Sequence, residues 1–216
     1  MLEKKIVSVD ELENQKDFIG LTGVLVPKVL ASCLYPPRSS KEKKEFLTLL
    51  GRKIARYLEE IPGITRFIFI GYTKSVNISK GDAFDWEDIE PQVLYILETL
   101  INDPDAELFL EKKTLPLKCV AKDCFYRNQR KYSFNRIIFN DDYCWDSFYS
   151  SLESLENPLR DIARNLLNPS MVNRVSFGLY TITIRKLPEN KWIEVEKFLK
   201  PIFEELIKEP VSIVNR

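Results

Sequence analysis

Chemistry that could act on a partner is densest in one short stretch. Residues 125–136 read Phe125-Tyr126-Arg127-Asn128-Gln129-Arg130-Lys131-Tyr132-Ser133-Phe134-Asn135-Arg136, interleaving four aromatics, four cations and three amides. Such a mixture suits single-stranded nucleic acid, because cations neutralise phosphates while aromatic faces stack bases. Lys112, Lys113, Lys118 and Lys122 precede it, so the candidate binding set is Lys112, Lys113, Lys118, Lys122, Tyr126, Arg127, Arg130, Lys131 and Arg136. The competing expectation puts Tyr132 and Phe134 into the core as alternate strand residues and leaves the cations on a solvated loop.

Carboxylates and thiols give weaker signals. Asp105 followed by Glu111-Lys112-Lys113 resembles the acid, then acid-x-lysine, of PD-(D/E)xK nucleases. That resemblance implies carboxylates on a divalent ion and a lysine that helps activate water. Against it, Glu-Lys-Lys also occurs at Glu3 and Glu42, and the expected third strand lacks the motif. Asp82, Asp85, Glu87, Asp88 and Glu90 offer oxygen ligands without the order of a calcium loop, and a solvated helix start explains them more simply. Cys33, Cys119, Cys124 and Cys144 form no Cys-x-x-Cys knuckle, so no metal site is expected. Among them Cys124, near Lys122 and Arg127, is the thiol expected to be most acidic. Ser40 to Lys43 has Ser-x-x-Lys spacing, which helix capping accounts for.

Some mechanisms are excluded outright. The 216 residues contain no His, which removes Ser-His-Asp and Cys-His catalysis and imidazole metal sites. The seven glycines build neither a P-loop nor a dinucleotide fingerprint, so no cofactor is expected.

Charge is zoned although it sums to zero, 32 basic against 32 acidic residues. Ten acids and no Lys or Arg fall in 81–111, eight cations against Asp123 alone in 112–136, and seven cations against Glu42 and Glu45 in 38–56. Neighbouring elements of opposite sign would cancel; separate faces would steer a protein partner or a second copy of the chain. The N-terminus has no secretory apolar core, and the longest apolar stretch, 18–34, is broken by Pro27 and Lys28 and is shorter than a membrane span. Four Cys in this length fit a reducing cytoplasm.

The elements that must position these residues follow from periodicity. Helices are expected over 46–61, ending at Pro62-Gly63, over 85–101, over 142–167 with a break at Pro158, and after Pro188. Strands are expected over 65–72, 107–111, 115–120, 132–139 and, as the clearest, 174–186. No internal repeat, low-complexity tract or Gly/Ser linker emerges. The expected fold is α+β (or α/β), a single domain over 1–216 with a mixed sheet of about five strands flanked by helices, and 1–37 as an uncertain N-terminal segment. The functional expectation is a soluble intracellular binding, adaptor or regulatory protein that holds a protein partner or self-associates. Nucleic-acid binding through 112–136 is the alternative, with a metal-dependent nuclease or a thiol enzyme behind it.

Overall fold

The computed structural model describes residues 6–20, 32–35, 47–71, 73–110, 115–126, 128–138, 145–147 and 159–215. Its class is α+β. The chain divides into two compact units, Met1–Thr114 and Leu115–Arg216. No glycine- or serine-rich linker marks that boundary, but it lies beside the switch from the acidic stretch 81–111 to the basic stretch 112–136.

In the first unit β1 (Val7–Leu12) and β2 (Gln15–Ile19) form a hairpin, followed by β3 (Ser32–Tyr35), α1 (Leu49–Glu60), β4 (Ile64–Ile70), β5 (Ser75–Lys80) and α2 (Trp86–Asn102). The strands make an antiparallel sheet in the order β1-β2-β5-β4-β3. Alternation fixes its core face: Phe18, Phe67, Phe69, Val76 and Ile78 are buried and lie in register with one another. Ile54 and Leu58 of α1, with Ile89, Val93, Ile96 and Leu97 of α2, supply the helical half of the core. Thr48 caps α1 by accepting the Gly51 N–H at 3.1 Å. Gly63 then turns the chain into β4 at φ +94°, where an added Cβ would sit 2.4 Å from the Phe84 ring. The capping spacing at Ser39 to Glu42 lies outside the described residues.

The second unit contains β6 (Cys119–Asp123), β7 (Gln129–Phe134), β8 (Trp145–Ser147), α3 (Leu159–Leu166), β9 (Val172–Gly178), β10 (Thr181–Lys186), α4 (Trp192–Ile207) and β11 (Ile213–Asn215). Its sheet is mixed, in the order β11-β6-β7-β10-β9-β8, with β11 parallel to β6. Tyr132 and Phe134 meet Phe203 of α4 edge to face at 5.2 and 5.3 Å in the middle of this core. Among the described residues no helix is long and apolar enough to cross a membrane.

Several expectations are corrected. The single strand over 174–186 is a hairpin: the chain reverses at Leu179-Tyr180, and Thr181 pairs back onto Gly178. Val175 and Phe177 are out of phase with Ile182 and Ile184, which one continuous strand would place on opposite faces; the hairpin sets Phe177 opposite Ile182 and Val175 opposite Ile184, all buried. Trp145 lies in a strand rather than a helix, and residues 107–110 and 115–118 are irregular. The N-terminal segment, uncertain from sequence, supplies β1, β2 and β3.

The expectation of no internal repeat also fails. Replacing β1, β2, β3, β4 and β5 by β6, β7, β8, β9 and β10 converts one sheet order into the other, with every shared pairing antiparallel. The register agrees residue by residue, since Phe18 faces Val76 as Tyr132 faces Ile182, and Cys33 faces Phe69 as Trp145 faces Phe177. In the helices, buried Ile89, Val93 and Leu97 correspond to buried Val195, Leu199 and Phe203. Sequence identity survives locally: Arg52-Lys53-Ile54-Ala55-Arg56-Tyr57-Leu58 and Arg160-Asp161-Ile162-Ala163-Arg164-Asn165-Leu166 agree at five of seven positions. The spacing between counterparts drifts from 114 residues (Lys16 to Arg130) to 106 (Trp86 to Trp192), so no fixed period betrays the repeat.

Candidate functional site

Each unit builds the same polar constellation around a tryptophan. In the first, Trp86 opens α2 with the Lys16 ammonium 5.4 Å from its ring and Lys80 at 5.9 Å. Lys16 pairs with Glu90 at 2.5 Å, and Ser8 bonds the same carboxylate. Lys80 donates to Asn14 Oδ1 at 3.0 Å and to the Phe84 carbonyl at 2.7 Å. In the second, Trp192 opens α4 with the Arg130 guanidinium at 4.6 Å and Lys186 at 5.7 Å. Arg130 pairs with Glu196 at 2.8 Å, and Lys186 donates to Asn128 Oδ1 at 3.0 Å. Even the main chain agrees, the Lys80 N–H bonding the Asn14 carbonyl and the Lys186 N–H the Asn128 carbonyl, both at 2.9 Å.

This constellation ties a hairpin turn, a strand end and a helix start together. Cations over Trp contribute about 0.5–2 kcal/mol depending on desolvation, and charge-assisted bonds add to that. Its cations are already satisfied by protein groups, which makes it a framework rather than a ligand site. Sequence reading missed it, although the signal was present: Lys, then Trp six residues on, then Glu four further, occurs at Lys80/Trp86/Glu90 and again at Lys186/Trp192/Glu196.

The expected binding residues meet different fates. Lys112, Lys113 and Arg127 lie outside the described residues. Arg130 is half enclosed and spends its donors on Asp123 at 2.7 Å, Glu196 at 2.8 Å and Asn215 at 3.0 Å. Burial opposes its charge, but the bonds to Asp123 and Glu196 outweigh that and hold its pKa above the ordinary value. Arg136 reaches Glu209 at 3.4 Å and the Leu115 carbonyl at 2.7 Å. Lys118, Lys122 and Lys131 also interact with other protein groups. Lys122 and Lys131 stand directly opposite across β6 and β7. Tyr132 and Phe134 are core residues, and burial pushes the Tyr132 phenol far up, with Glu196 beside it adding to the effect.

What remains open is the tip of the β6–β7 hairpin. Phe125 is 98% exposed and Tyr126 69%, their rings edge to face with centroids 5.8 Å apart. Five residues, 124–128, make this turn, whereas the corresponding β1–β2 turn has only Glu13 and Asn14. Asn128 closes the longer turn at φ +69°, a left-handed conformation that Asn tolerates better than most residues.

The remaining candidates are placed as follows. Asp82 accepts from Asn14 at 2.6 Å and Glu90 is paired, so these acids serve the framework. Asp105 sits in an exposed turn, its N–H bonding the Asp103 side chain, and Glu111 lies outside the described residues. No group of three His, Cys, Asp or Glu among the described residues is arranged to hold a metal. Cys119 opens β6 and Cys124 directly follows it, about 16 Å apart along the extended chain and so unable to share one ion. Burial, reinforced by Glu196, pushes the Cys119 thiol up to about 12 and keeps it protonated.

No family model matches the chain. No curated protein matches it either. Among solved structures it is similar to protein SAV1430 from Staphylococcus aureus, at 16% identity and a TM-score of 0.30, over 43% of this chain and 96% of that one. A likeness at that score carries no argument about function.

Proposed function

We propose that this protein is a binding or adaptor protein that holds a protein partner through the hairpin tip of its second unit. The observation that carries the reading is the Phe125–Tyr126 pair, two large rings held in solvent on a turn that the otherwise equivalent first unit lacks. Exposed aromatics supply large contact area at low entropic cost and are favoured as binding anchors. Nucleic acid is the less favoured partner, because Arg130 and Arg136 are paired with carboxylates of the same chain.

The test compares the purified chain with a Phe125→Ala/Tyr126→Ala variant in affinity capture from cell extract, with labelled single-stranded DNA and RNA titrated in parallel at two salt concentrations. The expected result is a protein captured by the native chain and lost with the variant at unchanged circular dichroism. Absence of any protein lost with the variant counts against the reading. Salt-sensitive nucleic-acid binding that the variant weakens would replace it with the alternative.

A further inference from the structure

The two units treat the same sheet edge differently. In the second, β11 runs parallel to β6 and covers it, pairing Ile213, Val214 and Asn215 with Cys119, Val120 and Ala121. The corresponding strand of the first unit is β1, because Ser8 faces Phe18 as Ala121 faces Tyr132. Among the described residues the first sheet ends at β1. The chain after α2, which would have to return to β1 to copy β11, is instead held at α1: Tyr57 donates to Glu107 at 2.7 Å and accepts the Leu108 N–H at 3.1 Å. Asn165 stands at the Tyr57 position in the second unit and has no phenol to make that attachment.

The first half of β1, Val7 to Val9, carries no charged residue, no proline and no bulge. The six residues of the strand, Val-Ser-Val-Asp-Glu-Leu, include neither Lys nor Pro, and its bulge falls only between Asp10 and Leu12. Val7 is 53% exposed and Val9 42%. Both lie on the sheet face opposite Ser8, which bonds Glu90 of α2.

We propose that the β1 edge is a strand-addition site for an extended segment of a partner protein, running parallel to β1 as β11 runs parallel to β6. This deepens the binding reading above and rests on it. The seated strand in the second unit specifies the chemistry. Ile213 packs toward the core, Val214 lies on the open face, and Asn215 accepts from Arg130, whose counterpart is Lys16. The matching positions in the first unit are Ile6, Val7 and Ser8. The partner segment therefore carries two apolar residues and then a polar one.

An acetylated peptide of residues 209–216, Glu-Pro-Val-Ser-Ile-Val-Asn-Arg, has this pattern and serves as the probe. Hydrogen exchange of the full chain is followed with and without it. Exchange across 6–12 slows about threefold or more at saturation while 119–123, already covered, is unchanged. Val7→Lys, at the position that Val120 holds in the covered strand β6, abolishes the slowing at native circular dichroism. Unchanged exchange at 6–12, or slowing confined to 119–123, overturns the proposal. A concentration-dependent dimer of the native chain that Val7→Lys dissolves assigns the edge to a second copy and overturns it as well. An inert β1 beside intact capture through Phe125 and Tyr126 removes this proposal alone; loss of both surfaces removes the binding reading with it.

Discussion

The two units share a topology, a register and a tryptophan-centred framework, yet differ in the length of one turn, the cover of one edge and the side chains that fill the core. What they share answers the same folding problem twice: a hairpin turn, a strand end and a helix start must be tied together, and Asn, Lys, Trp and Glu do so in both. What they do not share is not required by the fold. Phe125, Tyr126 and the β1 edge, unpaired among the described residues, fall in that second class, which is the reason to seek function there rather than at the more elaborate but paired framework. Residues present in both units should therefore affect stability, and residues peculiar to one should affect partners.

Core exchange gives the largest expected contrast. Phe203→Ala removes a fully buried ring that touches both Tyr132 and Phe134, and should cost about 3–5 kcal/mol in urea denaturation. Leu97→Ala at the counterpart position removes a buried aliphatic side chain rather than a ring and should cost about 3 kcal/mol. Equal losses would mean that the aromatic pairs add nothing beyond buried volume.

A backbone contrast comes next. Gly63→Ala places a methyl 2.4 Å from the Phe84 ring at a φ that L residues rarely adopt, and should cost about 2 kcal/mol, read as a lower denaturation midpoint. Its counterpart Met171, which likewise accepts a backbone bond from the residue after the strand end, is not among the residues with positive φ. Full stability of Gly63→Ala would show that the turn into β4 can relax.

The cations of the two frameworks provide a finer test. Arg130 uses Nε toward Asp123 and Nη1 toward Glu196 and Asn215, a fork that lysine cannot reproduce. Arg130→Lys should therefore cost about 1–2 kcal/mol, while Lys16→Arg, which keeps a donor for Glu90, should stay within about 0.5 kcal/mol. A reversed order would break the equivalence drawn between the two sites.

The sequence made the long helices legible because their apolar faces repeat over several turns, as in 192–207 with Val195, Leu199 and Phe203. Short strands were harder. Ser75-Val76-Asn77-Ile78-Ser79-Lys80 alternates correctly but contains too few β-formers to stand out, and the reversal inside 174–186 was marked by Gly178 and by the change of phase from Val175 and Phe177 to Ile182 and Ile184. The basic aromatic segment stands out by composition, but its side chains divide in a way that composition cannot show. Tyr132 and Phe134 turn inward with the strand period, Arg130 pairs with Glu196 far away in sequence, and the turn residues Phe125 and Tyr126 face solvent. The repeat was hidden because insertions moved each pair of counterparts by a different amount.

The smallest effect concerns the segment that separates the units' edges. The Tyr57 hydroxyl, followed by the nearby Lys53 charge, holds the Glu107 carboxyl below the ordinary carboxylate range. A depressed folded pKa contributes stability that is present above the unfolded value and is lost as pH falls through the folded one. Tyr57→Phe should raise the Glu107 titration midpoint toward the ordinary range, followed by carboxyl-carbon NMR, and should speed exchange of the Leu108 amide, which loses its acceptor. Lys53 remains within 3.6 Å of Glu107 in that variant, so part of the depression should persist. A complete loss of the depression would mean that the phenol positions Lys53 as well, and an unmoved midpoint would mean that the phenol does not hold residues 107–108 on α1 and that another contact keeps them from following the course of β11.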